Sequence, residues 1–310
     1  MLTIQKLCAP NYLACMSFAL AMTAATPSGA QNNDQAATDN PVELTIDVAE
    51  ASRKINIAGR QRMLSQRMAK AACLMANDIS FATAYDQLTQ ALSLFERSDV
   101  ALRKGDEELE LSEETLEPVL DALSAIDAPW ASYQAIINDG VTTGEIGTEA
   151  LADLDDASLS VLKFMNIAVF KSARAYAQAF EDVPLGLAIT IDVAGRQRML
   201  TQKAVKEACM MATADDPDLH ADRLAETVDL FDLSLDALRD GYEDVGVIAA
   251  PSREIDRKLS DVADLWEPVK AILDRAAEGE ILSMRELSQA ARLSEPLMRT
   301  MDEAVGMYGN

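Results

Sequence analysis

The feature that most constrains this chain is an internal repeat. The segment AGRQRML occurs at residues 58–64 and again at 194–200, an offset of 136 residues. The segments that follow, SQRMAKAACLMA and TQKAVKEACMMA, also match. The same offset relates later positions of the two copies: Phe95 to Phe231, Gly105 to Gly241, Trp130 to Trp266 and Met165 to Met301. A constant offset indicates a duplicated domain, and predicts two copies of one site or one site shared between them.

Both copies show the apolar periodicity of helices. The chain is rich in Ala, Leu, Met, Asp and Glu, only 5% of its residues are aromatic, and no alternating apolar run predicts a sheet. In the first copy the pattern predicts helices at about 43–77, 80–104, 112–139 and 148–180. Such a pattern predicts an all-α fold of two tandem up-down-up-down four-helix bundles, at residues 43–181 and 185–310.

The first residues belong to neither copy. Residues 1–30 have a basic Lys6, an apolar stretch at about 13–25 and small residues at 28–30, which predicts a secretory signal peptide. The alternative is an uncleaved anchor, but the apolar stretch is short for a membrane span. Residues 31–42 are polar and predict a disordered leader. We therefore expect an exported, periplasmic protein without a span of its own to carry a signal across a membrane.

The chain is strongly acidic, with 27 basic and 51 acidic residues and a formal charge of −24. Such a field disfavours nucleic acid and anionic membranes as partners. Charges are screened beyond about 8 Å at physiological salt, so a local arginine cluster can still dominate a pocket. The only histidine, His220, lies in a charged stretch and is predicted to be solvated. With no metal-ligand spacing, phosphate loop or placed base, we expect no enzyme activity, no metal and no cofactor.

Two cysteines follow the predicted signal peptide. Cys73 and Cys209 occupy equivalent positions of the two copies. Two alternatives are open: a small buried thiol in each core, or a disulfide that joins the copies in an oxidising compartment.

The first helix of each copy has three faces when its residues are placed at about 100° intervals. One face is the apolar stripe expected to face the bundle core, and another carries Arg60, Arg67 and Lys70, which we expect to face water. Arg196 and Lys203 match Arg60 and Arg67 in the second copy. The third face is a band of small residues, with Arg62 at its centre in the first copy and Arg198 in the second. Its other members are Ala51, Ala58, Ser65, Ala69, Ala72 and Ala76, and then Ala194, Thr201, Val205, Ala208 and Ala212.

Small side chains let another helix approach closely, so an arginine in this band should lose water and need an acceptor. One alternative is a salt bridge to a neighbouring Asp or Glu, or a side chain that reaches solvent. The other is that the two bands pack together and Arg62 and Arg198 face each other across a pseudo-two-fold axis. Two converging cations would repel each other unless an anion lay between them, and a planar oxyanion fits the guanidinium fork. The pairing could form within one chain or across a homodimer.

The segment INIAGRQRMLSQRMAK at residues 55–70 resembles the signature of the PilJ-type sensory domain of type IV pilus methyl-accepting chemotaxis transducers. The shorter pattern Ala-Gly-x-x-Arg-Met is similar to the nitrate-binding box of nitrate/nitrite sensor kinases of the NarX and NarQ kind. The resemblance implies periplasmic four-helix bundles. It also implies that Arg62 and Arg198 hold a small oxyanion beside the backbone of Gly59 and Gly195.

Three departures from these families affect the expectation. Arg60-Gln61 and Arg196-Gln197 follow the pilus-type pattern at the two middle positions of the motif. The second copy has Lys203 in place of Arg67, and no output domain follows. We expect a periplasmic sensory protein that binds nitrate or nitrite and signals through a membrane-bound sensor kinase or chemoreceptor. Arg60, Arg196, Arg67 and Lys203 would be secondary contacts to the anion or partner. The alternative is a ligand-free interaction module associated with a chemoreceptor or pilus system.

Overall fold

The structure, a computed structural model, describes residues 47–308. The predicted signal peptide, the predicted leader and the expected start of the first domain at residue 43 lie outside these residues. The first copy forms α1 (Val48–Ala76), α2 (Phe81–Lys104), α3 (Glu117–Ser124), α4 (Asp127–Thr143) and α5 (Thr148–Ala179). The second copy forms α6 (Leu185–Met210), α7 (Pro217–Asp240), α8 (Arg253–Ala277) and α9 (Met284–Met307). The predicted all-α class with tandem helical bundles is confirmed, and none of the described helices is long and apolar enough to span a membrane.

Equivalent residues end equivalent helices. Gly105 closes α2 with a φ of 79° and Gly241 closes α7 with a φ of 83°, a left-handed backbone that glycine adopts without a Cβ penalty. Each glycine is followed by an isolated β-bridge, Asp106 to Leu111 and Tyr242 to Val247, again at the repeat offset. The backbone conformation at this corner is therefore the same in the two copies.

The third helix differs between the copies. A single helix at 112–139 is wrong, because the chain forms α3 and α4 with a break at residues 125–126. Pro129 lies in the first turn of α4, where its missing N–H costs no helical hydrogen bond, and proline alone does not force the break, because α8 runs unbroken through Pro268. Ser112 does not begin a helix either: its N–H and its hydroxyl donate to the carboxylate of Glu50, at 2.7 and 2.5 Å.

Helices α1 and α6 pack side by side and occupy the centre of the molecule. Their directions are parallel, because the equivalent residues Cys73 and Cys209 meet at one end and Gly59 lies opposite Gly195 further along. The other helices of each copy surround this pair. Most of the central pair is therefore buried, which decides the environment of its polar residues.

Candidate functional site

Arg62 and Arg198 lie at the centre of the α1–α6 interface, and neither side chain is exposed. A Cβ built on Gly59 would stand 3.2 Å from Nη2 of Arg62 and 3.6 Å from Nη2 of Arg198. A Cβ on Gly195 would stand 3.2 Å from Nη2 of Arg198 and 3.5 Å from Nη2 of Arg62. Both guanidinium groups therefore lie beside both glycines, so the structure brings together the four residues of the predicted ligand site.

Arg62 is held by both copies. Its Nη1 donates to Oδ1 of Asp192 on α6 at 2.6 Å, and its Nη2 donates to the Asp192 carbonyl oxygen at 3.1 Å. Nη1 also donates to Oδ1 of Asn166 on α5 at 3.2 Å. The other carboxylate oxygen of Asp192 accepts from Arg196 at 3.3 Å. The guanidinium thus has one carboxylate from the other copy and one amide from its own.

Arg198 also has one carboxylate and one amide partner, but its carboxylate comes from its own copy and its amide from the other copy. Its Nη1 pairs with the carboxylate of Asp302 on α9. Its Nη2 donates to Oδ1 of Asn56 on α1 at 2.7 Å and to the Asn56 carbonyl oxygen at 3.2 Å. The repeat offset relates Asn56 to Asp192 and Asn166 to Asp302. We call these six residues the arginine cluster: Arg62, Arg198, Asn56, Asn166, Asp192 and Asp302.

The salt-bridge alternative is therefore the one that the structure contains. The two arginines do converge, as the small-residue band predicted, but each one already holds a carboxylate of this chain. The expectation that an anion must lie between two uncompensated cations does not hold for this arrangement. A guest would have to compete with a side chain that is already bound.

The two carboxylates of the cluster differ in burial. Burial acts to raise the pKa of Asp192, but the guanidinium groups of Arg62 and Arg196 outweigh it and hold the pKa below its usual value. The side chain of Asp192 is 9% exposed, whereas that of Asp302 is 51% exposed. Burial lowers the pKa of both cluster arginines, and their carboxylate partners oppose that shift. Asp192 is thus an enclosed anion, while Asp302 reaches solvent.

The cations predicted to face water are buried or only partly exposed. Arg60 donates to Oγ of Ser98 at 2.9 Å, and Arg196 is only 6% exposed. Lys203 is fully buried, where its Nζ donates to Oγ1 of Thr227 at 2.7 Å. Arg67 makes a two-pronged ion pair with Glu295, which also holds the buried Lys70. The prediction of a solvent face was wrong for Lys70, Arg196 and Lys203, which are buried, whereas Arg60 and Arg67 are partly exposed.

A second buried polar cluster was missed by the sequence analysis. Glu207 is unexposed; its carboxylate lies 2.7 Å from Nδ1 of His220 and 3.1 Å from Nζ of Lys206. Lys206 also pairs across the copies with Asp155 of α5, at 2.6 Å. His220 is 6% exposed, so its prediction as solvated surface is wrong. Its helical spacing to Leu224 on the core face of α7 could have indicated burial.

The cysteine alternatives resolve in favour of the bond: a disulfide joins Cys73 to Cys209. Both residues are fully buried at the end of the α1–α6 interface. Among residues 47–308 no group of His, Cys, Asp and Glu is arranged to hold a metal ion.

Comparison with known families agrees with the repeat. The family model PilJ, described as Type IV pili methyl-accepting chemotaxis transducer N-term, matches residues 48–154 and 185–292. The two matches fall on the two copies and together span more than half of the chain. No curated protein matches the sequence.

Proposed function

The chain belongs to the PilJ family, and from this membership we propose that it is a periplasmic sensory module that signals through a membrane-bound chemoreceptor or sensor kinase. Both copies contribute to one central interface, so the working unit is the fused pair. A periplasmic location is supported by the signal peptide predicted at residues 1–30 and by the Cys73–Cys209 bond, which is typical of oxidising compartments. The proposed role is recognition, without a chemical reaction.

The geometry best supports a module whose two halves are held together by their own ion pairs and that needs no small molecule at rest. The observation that carries this proposal is that Arg62 and Arg198 each hold a carboxylate of the chain. A tethered group acts at a high effective concentration, so it outcompetes a dilute free anion of similar intrinsic affinity. The fused pair would thus meet its protein partner as a preassembled unit.

A second candidate is binding of a small oxyanion, nitrate or nitrite first, at Arg62 and Arg198 beside Gly59 and Gly195. The half-exposed side chain of Asp302 favours it, since this carboxylate can turn to water without becoming a buried unpaired charge. Arg60 and Arg196 add two further cations near the pair. The site would then contain four guanidinium groups, with Asp192 as the only enclosed carboxylate.

Calorimetry with nitrate, nitrite, sulfate and chloride on the purified chain distinguishes the two candidates. The matched variants are Asp302→Asn, which removes the tethered competitor, and Asn166→Asp, which adds one at the equivalent position. The oxyanion candidate requires Asp302→Asn to bind at least about tenfold more tightly than the parent chain, and Arg62→Ala or Arg198→Ala to abolish the heat.

If the module binds no ligand, millimolar anion should give no heat of binding and no change in Tm in the parent chain or in Asp302→Asn, because a ligand specific for the folded state must raise stability. It also expects that affinity for a chemoreceptor fragment is the same with and without nitrate. Saturable binding of nitrate that needs both arginines would replace it by the oxyanion candidate.

A further inference from the structure

The outer face of α5 carries an exposed patch of apolar and basic residues. Lys163, Ile167, Phe170, Lys171 and Arg174 are all exposed, and their spacing places them on one face of the helix. Ile167 is 40% exposed and Phe170 is 36% exposed, although both are large apolar side chains. We call these five residues the α5 patch.

The patch borders a groove between α3 and α5 with a volume of about 600 Å³. Leu116 and Pro118 form the α3 wall, and Phe170, Lys171 and Arg174 belong to the α5 wall. The guanidinium of Arg174 lies 5.4 Å from the centroid of the Phe170 ring, a cation–π contact that fixes the ring at the edge of the groove. The result is an apolar depression with cations on one side, and Asp121 is its only acidic lining residue.

The second copy has no such patch. The repeat offset places Glu303 at the position of Ile167 and Gly306 at that of Phe170, while Arg299 matches Lys163. The bundle fold therefore does not require large apolar residues on this outer face. Exposed apolar groups rimmed by polar ones mark interaction sites, and the first copy has acquired them where the second has not.

The cations of the patch are available. Arg97 and Arg275, like several other surface cations, pair with carboxylates of the chain. In the part of the chain that the structure describes, Lys163, Lys171 and Arg174 form no ion pair. A protein with a formal charge of −24 has thus left three cations together without an acidic partner.

We propose that the α5 patch and its groove form a docking site for a short acidic protein segment that carries an apolar side chain. Carboxylates of the segment would pair with Lys171 and Arg174, and its apolar side chain would lie in the groove against Phe170. A nucleic acid or an anionic membrane would extend past the patch onto the acidic remainder of the surface, whereas a short segment meets only the local cations. This inference rests on the proposed docking function and names the chemistry of the partner.

The test uses the full chain and a fluorescein-labelled helical peptide with Glu and Leu at helical spacing, measured by anisotropy. One control peptide has Lys in place of each Glu, and another has Ser in place of each Leu. We expect saturable binding of the acidic peptide alone, weakened by salt. Arg174→Glu should lower the affinity at least about tenfold, and Ile167→Glu, which copies the second repeat, should lower it similarly.

Arg299→Glu on α9 is the matched control, since it makes the same charge change on the other copy and should leave affinity within about twofold. The inference is overturned if the acidic peptide does not bind, if it binds but Arg174→Glu and Arg299→Glu weaken it equally, or if the patch instead binds vesicles of anionic lipid. The anion calorimetry does not involve α5 patch residues, so failure here leaves the proposed function standing.

Discussion

Replacing Asp192 by asparagine tests whether charge within the arginine cluster holds the two copies together. Nη1 of Arg62 lies 2.6 Å from Oδ1 of Asp192 in a site where the arginine is unexposed and the aspartate side chain is 9% exposed. Removing one partner of a buried ion pair costs about 3–5 kcal/mol. Asparagine keeps an acceptor oxygen, as Asn56 does for Arg198, so we expect the lower end, about 3 kcal/mol.

Asp302→Asn is the internal reference because its side chain is 51% exposed. We expect it to cost less than Asp192→Asn, about 1–2 kcal/mol, because the carboxylate it removes is half in water but its loss leaves the unexposed Arg198 with amide partners only. In a chain of this size each kcal/mol corresponds to about 2–4 °C in Tm, so the expected losses are about 6–12 °C for Asp192→Asn and a smaller loss of about 2–8 °C for Asp302→Asn. Thermal unfolding followed by circular dichroism at pH 7 measures both.

A second substitution separates charge placement from net charge. Adding Asn166→Asp to Asp192→Asn returns a carboxylate to Arg62, since Oδ1 of Asn166 lies 3.2 Å from its Nη1. Adding Asn56→Asp restores the same net charge but places it on Arg198. We expect the first double variant to recover most of the lost Tm and the second to recover little. Equal recovery by both would refute the pairing scheme.

The same carboxylate gives a dependence on pH. Because the Arg62 and Arg196 guanidinium groups lower the folded pKa of Asp192, its contribution is present in full above the unfolded value of about 4. It is lost as the pH falls through the lower folded pKa. The Tm difference between the parent chain and Asp192→Asn should therefore shrink below about pH 4. A difference that is constant from pH 7 to pH 3 would show that the charge is not responsible.

Three further predictions concern the interface. Reducing the Cys73–Cys209 bond under denaturing conditions, or replacing both cysteines by serine, should lower the free energy of unfolding by about 5 kcal/mol, because the bond closes a loop of more than 100 residues. Unfolding in urea with and without reductant measures this loss, and non-reducing mass analysis checks that the bond is present. Lys70→Met should leave Tm at pH 7 equal or higher, since burial lowers the pKa of Lys70 to about 8 and the buried ammonium costs stability below that pH. The Tm difference between the variant and the parent chain should shrink as the pH rises from about 8 toward 10.5. A Tm loss of several degrees at pH 7 would contradict this prediction. Gly59→Ala should destabilise despite the helix propensity of alanine, because the new Cβ would stand 3.2 Å from a guanidinium fixed by hydrogen bonds; a gain in Tm at pH 7 would contradict it.

The repeat and the helical periodicity were sufficient to predict the architecture, because both are local properties of the sequence. The third helix of the first copy was the exception, since it breaks at residues 125–126, whereas α8 in the second copy runs unbroken through Pro268. Burial of Arg67 and Lys203 could not be read from one helix, because it depends on how many other helices surround α1 and α6.

Within the site, sequence reasoning placed Arg62 beside Arg198 but not their partners. Asp192 and Asp302 reach the arginines only through packing between helices that are far apart in the chain. One signal was present: Asn56 and Asp192, like Asn166 and Asp302, keep a polar residue at equivalent positions of the two copies. Comparing the copies position by position for polar character would have identified these partners.

The first copy supplies the amides of the arginine cluster, and the second copy supplies its carboxylates at the equivalent positions. This difference determines which halves can associate. Two first copies packed in this manner would give both arginines only Asn56 and Asn166, and would leave two positive charges enclosed. Two second copies would crowd four carboxylates, from Asp192 and Asp302, around two arginines. Only a first copy against a second balances the charges at these positions, so each half is selective for its unlike counterpart and disfavours association with an identical half of a neighbouring molecule.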